Sequence, residues 1–152
     1  MSRLQIITLP KNEETLRKES QEFDLQLLSN PDWKTFLSDF KETMYAADGV
    51  GLAAPQVGRL LRLVAVDFEG EPQIMINPKI TKKSWFTDIA EEGCLSVPKI
   101  YGRVKRHKKI KVTFFDETGQ PKKLTLQGIV ARITQHELDH LDGVLFIDKI
   151  IK

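Results

Sequence analysis

The sequence predicts an α+β fold, because two stretches with helical periodicity flank a middle region of β-branched and aromatic runs. The first helical stretch opens at Asn30-Pro31, and its apolar positions Trp33, Phe36, Leu37, Phe40 and Met44 recur every three or four residues before Asp48-Gly49 closes it. Proline suits the first turn of a helix, where its missing N–H costs nothing, and glycine suits the position past the end. LRLVAVDF (61–68), QIMI (73–76) and KIKVTFFD (109–116) read as strands. The turn residues of DETGQP, between KIKVTFFD and KKLTLQG, predict an antiparallel hairpin. A second helix is expected from about Ile129 to Asp142, bracketed by Gly128 and Gly143, with Ile129, Ile133, His136 and His140 at helical spacing.

At 152 residues the chain is expected to form one domain, 1–152, around a single core. Apolar residues at 41% and charged residues at 29% exclude a disordered chain. A formal net charge of +2 makes no global demand for nucleic acid or a membrane, so neither DNA nor a bilayer is expected as a partner. A single cysteine, Cys94, excludes an internal disulfide. MSRLQIITLPKNEE has neither a long apolar run nor an Arg- and Ser-rich, acid-free character, which points to the cytoplasm. Apolar stretches fall well short of the roughly 20 residues that span a bilayer.

The strongest chemical signal is QHELDH, residues 135–140. Residues four apart stack on one helix face, so His136 and His140 can ligate one ion while Glu137 leans toward its open side. A third ligand is not obvious downstream. In one large class of zinc proteases a histidine stands six residues after the second one, and here that position is Phe146. No glutamate follows Glu137, and Asp142 and Asp148 are the later carboxylates. His107 lies among cations in RVKRHKKI, which disfavours a divalent ion and suggests a surface residue. Cys94 is the better candidate, because a thiolate binds borderline-soft metals and a Cys/His/His set leaves a fourth position for water. Taken alone, a lone cysteine is more often a small buried hydrophobe. Its setting in EEGCLSVP argues otherwise: Gly93 is expected to relax the backbone, and the Leu95 N–H follows the thiol directly.

GVGLAAPQVG, residues 49–58, concentrates small residues ahead of one amide, Gln56. It lacks the G-K-S/T step of a phosphate loop and the spacing of a dinucleotide fingerprint. Small residues allow another chain close to the backbone, and Gln56 is placed either to donate to a developing oxyanion or simply to face solvent.

With GVGLAAPQ, EGCLS and QHELDH in that order, the chain resembles the peptide deformylases, metal hydrolases that remove the N-formyl group from new polypeptides. The similarity runs from LPKNEETLRKES near the start to HLDGVLFID near the end. It implies antiparallel sheets packed around a C-terminal helix that carries the HExxH motif. It also implies one divalent metal, with Fe²⁺ favoured over Zn²⁺, Ni²⁺ or Co²⁺, held by Cys94, His136 and His140. Glu137 would be the general acid/base, Gln56 and the Leu95 N–H would stabilise the oxyanion, and the backbone near Gly51 would pair with the substrate. An N-formylmethionyl nascent peptide needs a flexible apolar pocket for its first side chain, expected from Val50, Leu95 and Ile133. The competing expectations are another metal-dependent amidase or peptidase on the same site, and a structural metal module closed by a fourth protein ligand.

The sequence departs from the family pattern at Lys99, where many members have glycine, and it ends without the long terminal helix that some bacterial members carry. KIYGRVKRHKKIK, residues 99–111, holds seven Lys or Arg and no acid. It reads either as a solvated strand face or as a transient contact with ribosomal RNA.

Overall fold

The computed structural model describes residues 3–152. Among these residues three α-helices, α1 (Glu13–Leu16), α2 (Pro31–Ala46) and α3 (Gly128–Leu141), combine with seven strands. The strands are β1 (Gly51–Ala53), β2 (Leu63–Phe68), β3 (Glu71–Lys83), β4 (Thr87–Cys94), β5 (Val97–His107), β6 (Lys109–Phe115) and β7 (Pro121–Gln127). Five of them form an antiparallel sheet in the order β1-β2-β3-β6-β7, and β4 pairs with β5 in a separate hairpin. The expected α+β architecture, with antiparallel sheets around a C-terminal helix, is the one observed.

Helix α2 starts as expected: Asn30 caps it by accepting from the Asp32 N–H at 2.9 Å, and Pro31 occupies the first turn. Its inner face buries Phe36, Leu37, Phe40 and Met44 against Leu52, Leu63, Ala65, Ile74 and Ile76 of the sheet. Alternation along each strand sends the other residues, Val64, Val66 and Met75, to the opposite face, where Ala131, Leu138 and Leu141 of α3 meet them. Near β1 to β3 the sheet is thus covered on both sides, which is why LVAV reads as a continuous apolar run.

Strand β3 runs well past the expected QIMI. Asn77 takes φ 51 and the register shifts between Ile76 and Lys79, so Pro78 falls in a bulge instead of breaking the ladder. Strands β1 and β4 were not anticipated, and β5 only through the strand-face reading of residues 99–111. The hairpin packs through Val97 and Val104 onto Leu16, Leu145 and Phe146, a third apolar cluster. Gln135 ties α3 to this hairpin, donating to the His107 carbonyl at 2.8 Å and accepting from the His107 N–H at 3.0 Å. Helix and hairpin are thereby fixed relative to each other, and the site lies between them.

Candidate metal centre

Two elements supply the three metal-ligating candidates. His136 and His140 sit one turn apart on α3, and Cys94 ends β4 at the tip of the hairpin. Their donor atoms all lie within 4.8 Å of one another. Cys94 Sγ stands 3.4 Å from His140 Nε2. Tetrahedral bonds to sulfur and nitrogen separate donor atoms by roughly 3.3–3.6 Å, so this spacing suits a metal ion. His136 Nδ1 is engaged 3.0 Å from Glu92 Oε1, which leaves its Nε2 as the donor. Among the described residues, Glu137 Oε1 is buried at this site without a hydrogen-bond partner, which suits a carboxylate that meets a further group there.

Glu137 is 4% exposed and lies beside β1. Burial, reinforced by Glu92 and Asp139 and opposed by the charges of His136 and Arg106, pushes its carboxyl up to about 7. Burial holds His140 well below its ordinary value, helped by the positive charges of His136 and Arg106, so this imidazole is neutral. Burial likewise opposes a proton on His136, but hydrogen bonds to Cys94 and Glu92 outweigh it and push the ring up to about 10. Metal and proton compete for the same Nε2 lone pair, so an ion held there would displace that proton.

The other expected residues converge on the same place. A cavity of about 360 Å³ is lined by Val50, Gly51, Gln56, Leu95, Ile133 and Glu137, with Cys94 and His136 at its wall. Gln56 is 1% exposed, which excludes the solvated alternative. Its Oε1 accepts from the Ala53 N–H at 2.8 Å, and its Nε2 points to Ser96 Oγ at 3.2 Å and Cys94 Sγ at 3.5 Å. Strand β1 is the edge of the five-stranded sheet, with β2 on one side only. An extended peptide can add along such an edge.

Two expectations need correction. Gly93 does not adopt a left-handed conformation; a side chain there would meet the Tyr101 ring at 2.6 Å, so the glycine admits Tyr101 to the cavity wall. His107 is half-buried, its Nδ1 2.9 Å from the Ser84 carbonyl, and takes no part in the ligand group. Phe146, six residues past His140 and not a ligand type, stacks on the His136 ring with centroids 5.9 Å apart.

Sequence reasoning missed the buried ionic frame behind His136. Glu92 is 8% exposed and accepts from Arg106 Nε at 3.0 Å, Arg106 Nη2 at 2.9 Å and Arg132 Nη1 at 2.6 Å, besides its contact with His136. Burial alone would raise the Glu92 carboxyl, but hydrogen bonds from His136 and Arg106 hold it well below the usual carboxylate range. Arg106 also reaches Asp139 at 2.6 Å, and Arg132 reaches Asp88 at 2.6 Å. The one available signal was the second acid in EEGC, next to the thiol.

An α+β fold in which a helix-borne HExxH pair meets a cysteine from a β-hairpin, at the wall of an open cavity, defines the class of the metal hydrolases. The family model for polypeptide deformylase matches residues 4–152. A peptide deformylase of Prochlorococcus marinus is 52% identical over 114 residues, covering 72% of this chain and 56% of that protein. The chain thus matches little more than half the length of that relative. The crystal structure of the Thermotoga maritima peptide deformylase superposes with a TM-score of 0.92 at 38% identity, each chain covered completely. That of the Synechococcus elongatus enzyme, in complex with actinonin, gives 0.90 at 37% identity over 98% of this chain and 79% of the other. The chain belongs to the polypeptide deformylase family.

Proposed function

We propose that the protein, acting as one catalytic domain over 1–152, hydrolyses the formyl amide at the N-terminus of newly made formylmethionyl polypeptides. The observation that carries this reading is the convergence of the Cys94, His136 and His140 donor atoms within 4.8 Å at a cavity that also holds Glu137. Cys94 Sγ and the two Nε2 atoms would hold a divalent ion, which would supply Lewis acidity and lower the pKa of water to about 7. The donor set favours Fe²⁺ by family resemblance, and accepts Zn²⁺, Ni²⁺ or Co²⁺.

The protein's own groups do the rest. Glu137, raised toward neutrality by burial, takes a proton from the attacking water and returns it to the leaving nitrogen. The new C–O bond forms at the formyl carbon, the C–N bond breaks, and the products are formate and a free amino terminus. Gln56 Nε2 and the Leu95 N–H stabilise the charge that develops on the formyl oxygen. The backbone of Gly51 pairs with the substrate as an added strand, while Val50, Leu95 and Ile133 hold the methionine side chain. Glu92, Arg106 and Arg132 fix the tautomer and orientation of His136.

Such a substrate emerges from the ribosome, so the reading includes a transient ribosome contact and a cytoplasmic location; no helix among the described residues is long and apolar enough to cross a membrane. The test is to purify the protein without oxygen, measure its metal content, and offer it formyl-Met peptides and their unformylated counterparts. Formate release from the first and no cleavage of the second is expected. Cleavage of unformylated peptides would instead make the protein a peptidase.

A further inference from the structure

The basic run 99–111 does not form one surface. Arg106 is turned inward onto Glu92, whereas Lys109 and Lys111 point outward from β6. Strand pairing places them among lysines from neighbouring strands: Lys82 lies directly across from Lys111, Lys79 across from Thr113, and Lys123 of β7 across from Thr113 on the other side. Ile76 and Phe115 are also paired and pack in the α2 core, so these lysines share the face that α2 covers near Ile76 and leaves bare further along.

That bare face presents Lys79, Lys82, Lys109, Lys111 and Lys123, all exposed, with Thr113, Thr125 and Gln127 between them and no acid in the ladder. None of the five makes an ion pair among the described residues, although lysines elsewhere do. Like charges directly across a strand pair cost stability, so Lys82 and Lys111 gain nothing from each other. Between the strand ends lies a cavity of about 290 Å³ lined by Lys82, Lys83, Ser84, Lys109, Ile110 and Lys111. Directly after Ser84, which lines this cavity, the chain leaves β3 through Trp85 and Phe86, which are 91% and 71% exposed.

We propose that this face binds single-stranded nucleic acid, the lysines contacting phosphates and Trp85 and Phe86 stacking on bases. Cations spaced along a rigid sheet suit a linear polyanion, and the two uncovered rings offer a platform that no internal packing requires. An anionic membrane is the less suitable partner, because the lysines lie across a flat sheet face and not around an amphipathic helix. The surface is separate from the metal centre, so its test does not depend on the hydrolytic reading.

The experiment measures fluorescence anisotropy of labelled single-stranded RNA and DNA, each about 12 nucleotides long, with anionic vesicles as a parallel arm. Binding of either nucleic acid is expected, weakening between about 50 and 200 mM salt with a log–log slope near about −3 for four or five engaged lysines. The double variant Lys82→Glu/Lys111→Glu should weaken binding more than about tenfold, and Trp85→Ala by about tenfold, with the circular-dichroism spectrum unchanged. Lys82→Gln/Lys111→Gln gives the same direction without charge reversal and guards against misfolding. Lys11→Glu/Lys34→Glu, an equal charge change elsewhere, should leave binding nearly intact. Absence of binding at low salt, binding of vesicles alone, or equal losses in the Lys11/Lys34 control would overturn the proposal.

Discussion

Gly51 and Glu137 are packed so closely that a Cβ on the glycine would stand 2.5 Å from Glu137 Oε2 and 2.8 Å from Ile133 Cγ2. The glycine is thus required by the carboxylate, beyond any role in admitting a substrate strand. Gly51→Ala must push Glu137 or β1 aside, and displacements of about 1 Å at a catalytic group cost on the order of 100-fold in rate. Turnover should fall by about that factor while the metal stays bound. A variant with normal kcat would show that the Glu137 position is not critical.

Glu92 offers two carboxylate oxygens to two guanidinium groups and His136, and an amide in its place retains one acceptor. Glu92→Gln should destabilise the fold by about 3–5 kcal/mol, the usual cost of breaking a buried ion pair. Loss of the His136 orienting bond should also weaken metal retention about 10- to 100-fold. Denaturant unfolding and competition with a chelator measure the two effects separately, and no change in either would remove the positioning role.

Cys94→Ser exchanges a soft thiolate for a weakly acidic hydroxyl. Its main effect should be loss of metal, read as stoichiometry after dialysis, with activity falling in proportion. In the wild type with Fe²⁺, air should oxidise the Cys94 thiol and reduce activity over time, and Ni²⁺ or Zn²⁺ should slow that decline. Mass analysis of the Cys94 peptide follows the oxidation directly.

Lys99 takes φ 66, a conformation that glycine adopts without strain and other residues at a cost of about 1–2 kcal/mol. Lys99→Gly should therefore stabilise the protein by about 1 kcal/mol, a rise of about 2–4 °C in Tm. Lower stability would mean that the Lys99 side chain makes a compensating contribution.

Helices α2 and α3, and the candidate ligands that converge beside them, were legible in the sequence for definite reasons. Asn30, Pro31 and the spacing of Phe36, Phe40 and Met44 mark α2, and the i, i+4 histidines mark the functional face of α3. Strand β4 was hidden because its exposed residues show no apolar alternation and its one buried side chain is a glutamate, Glu92. Arg106 and Arg132 were equally invisible, since a buried arginine in an ionic frame has the same letter as a solvated one. The extension of β3 past Pro78 depended on a bulge that composition does not announce.

In the proposed reaction Glu137 moves the proton at a metal site held by other residues. Glu137→Gln keeps the side chain's shape and removes its basicity, so metal occupancy and formate release from formyl-Met peptides should be measured on the same anaerobic preparation. Wild-type metal content is expected, with turnover reduced about 100- to 10,000-fold. A fully metallated variant that retained most of its formate release would contradict that role for Glu137.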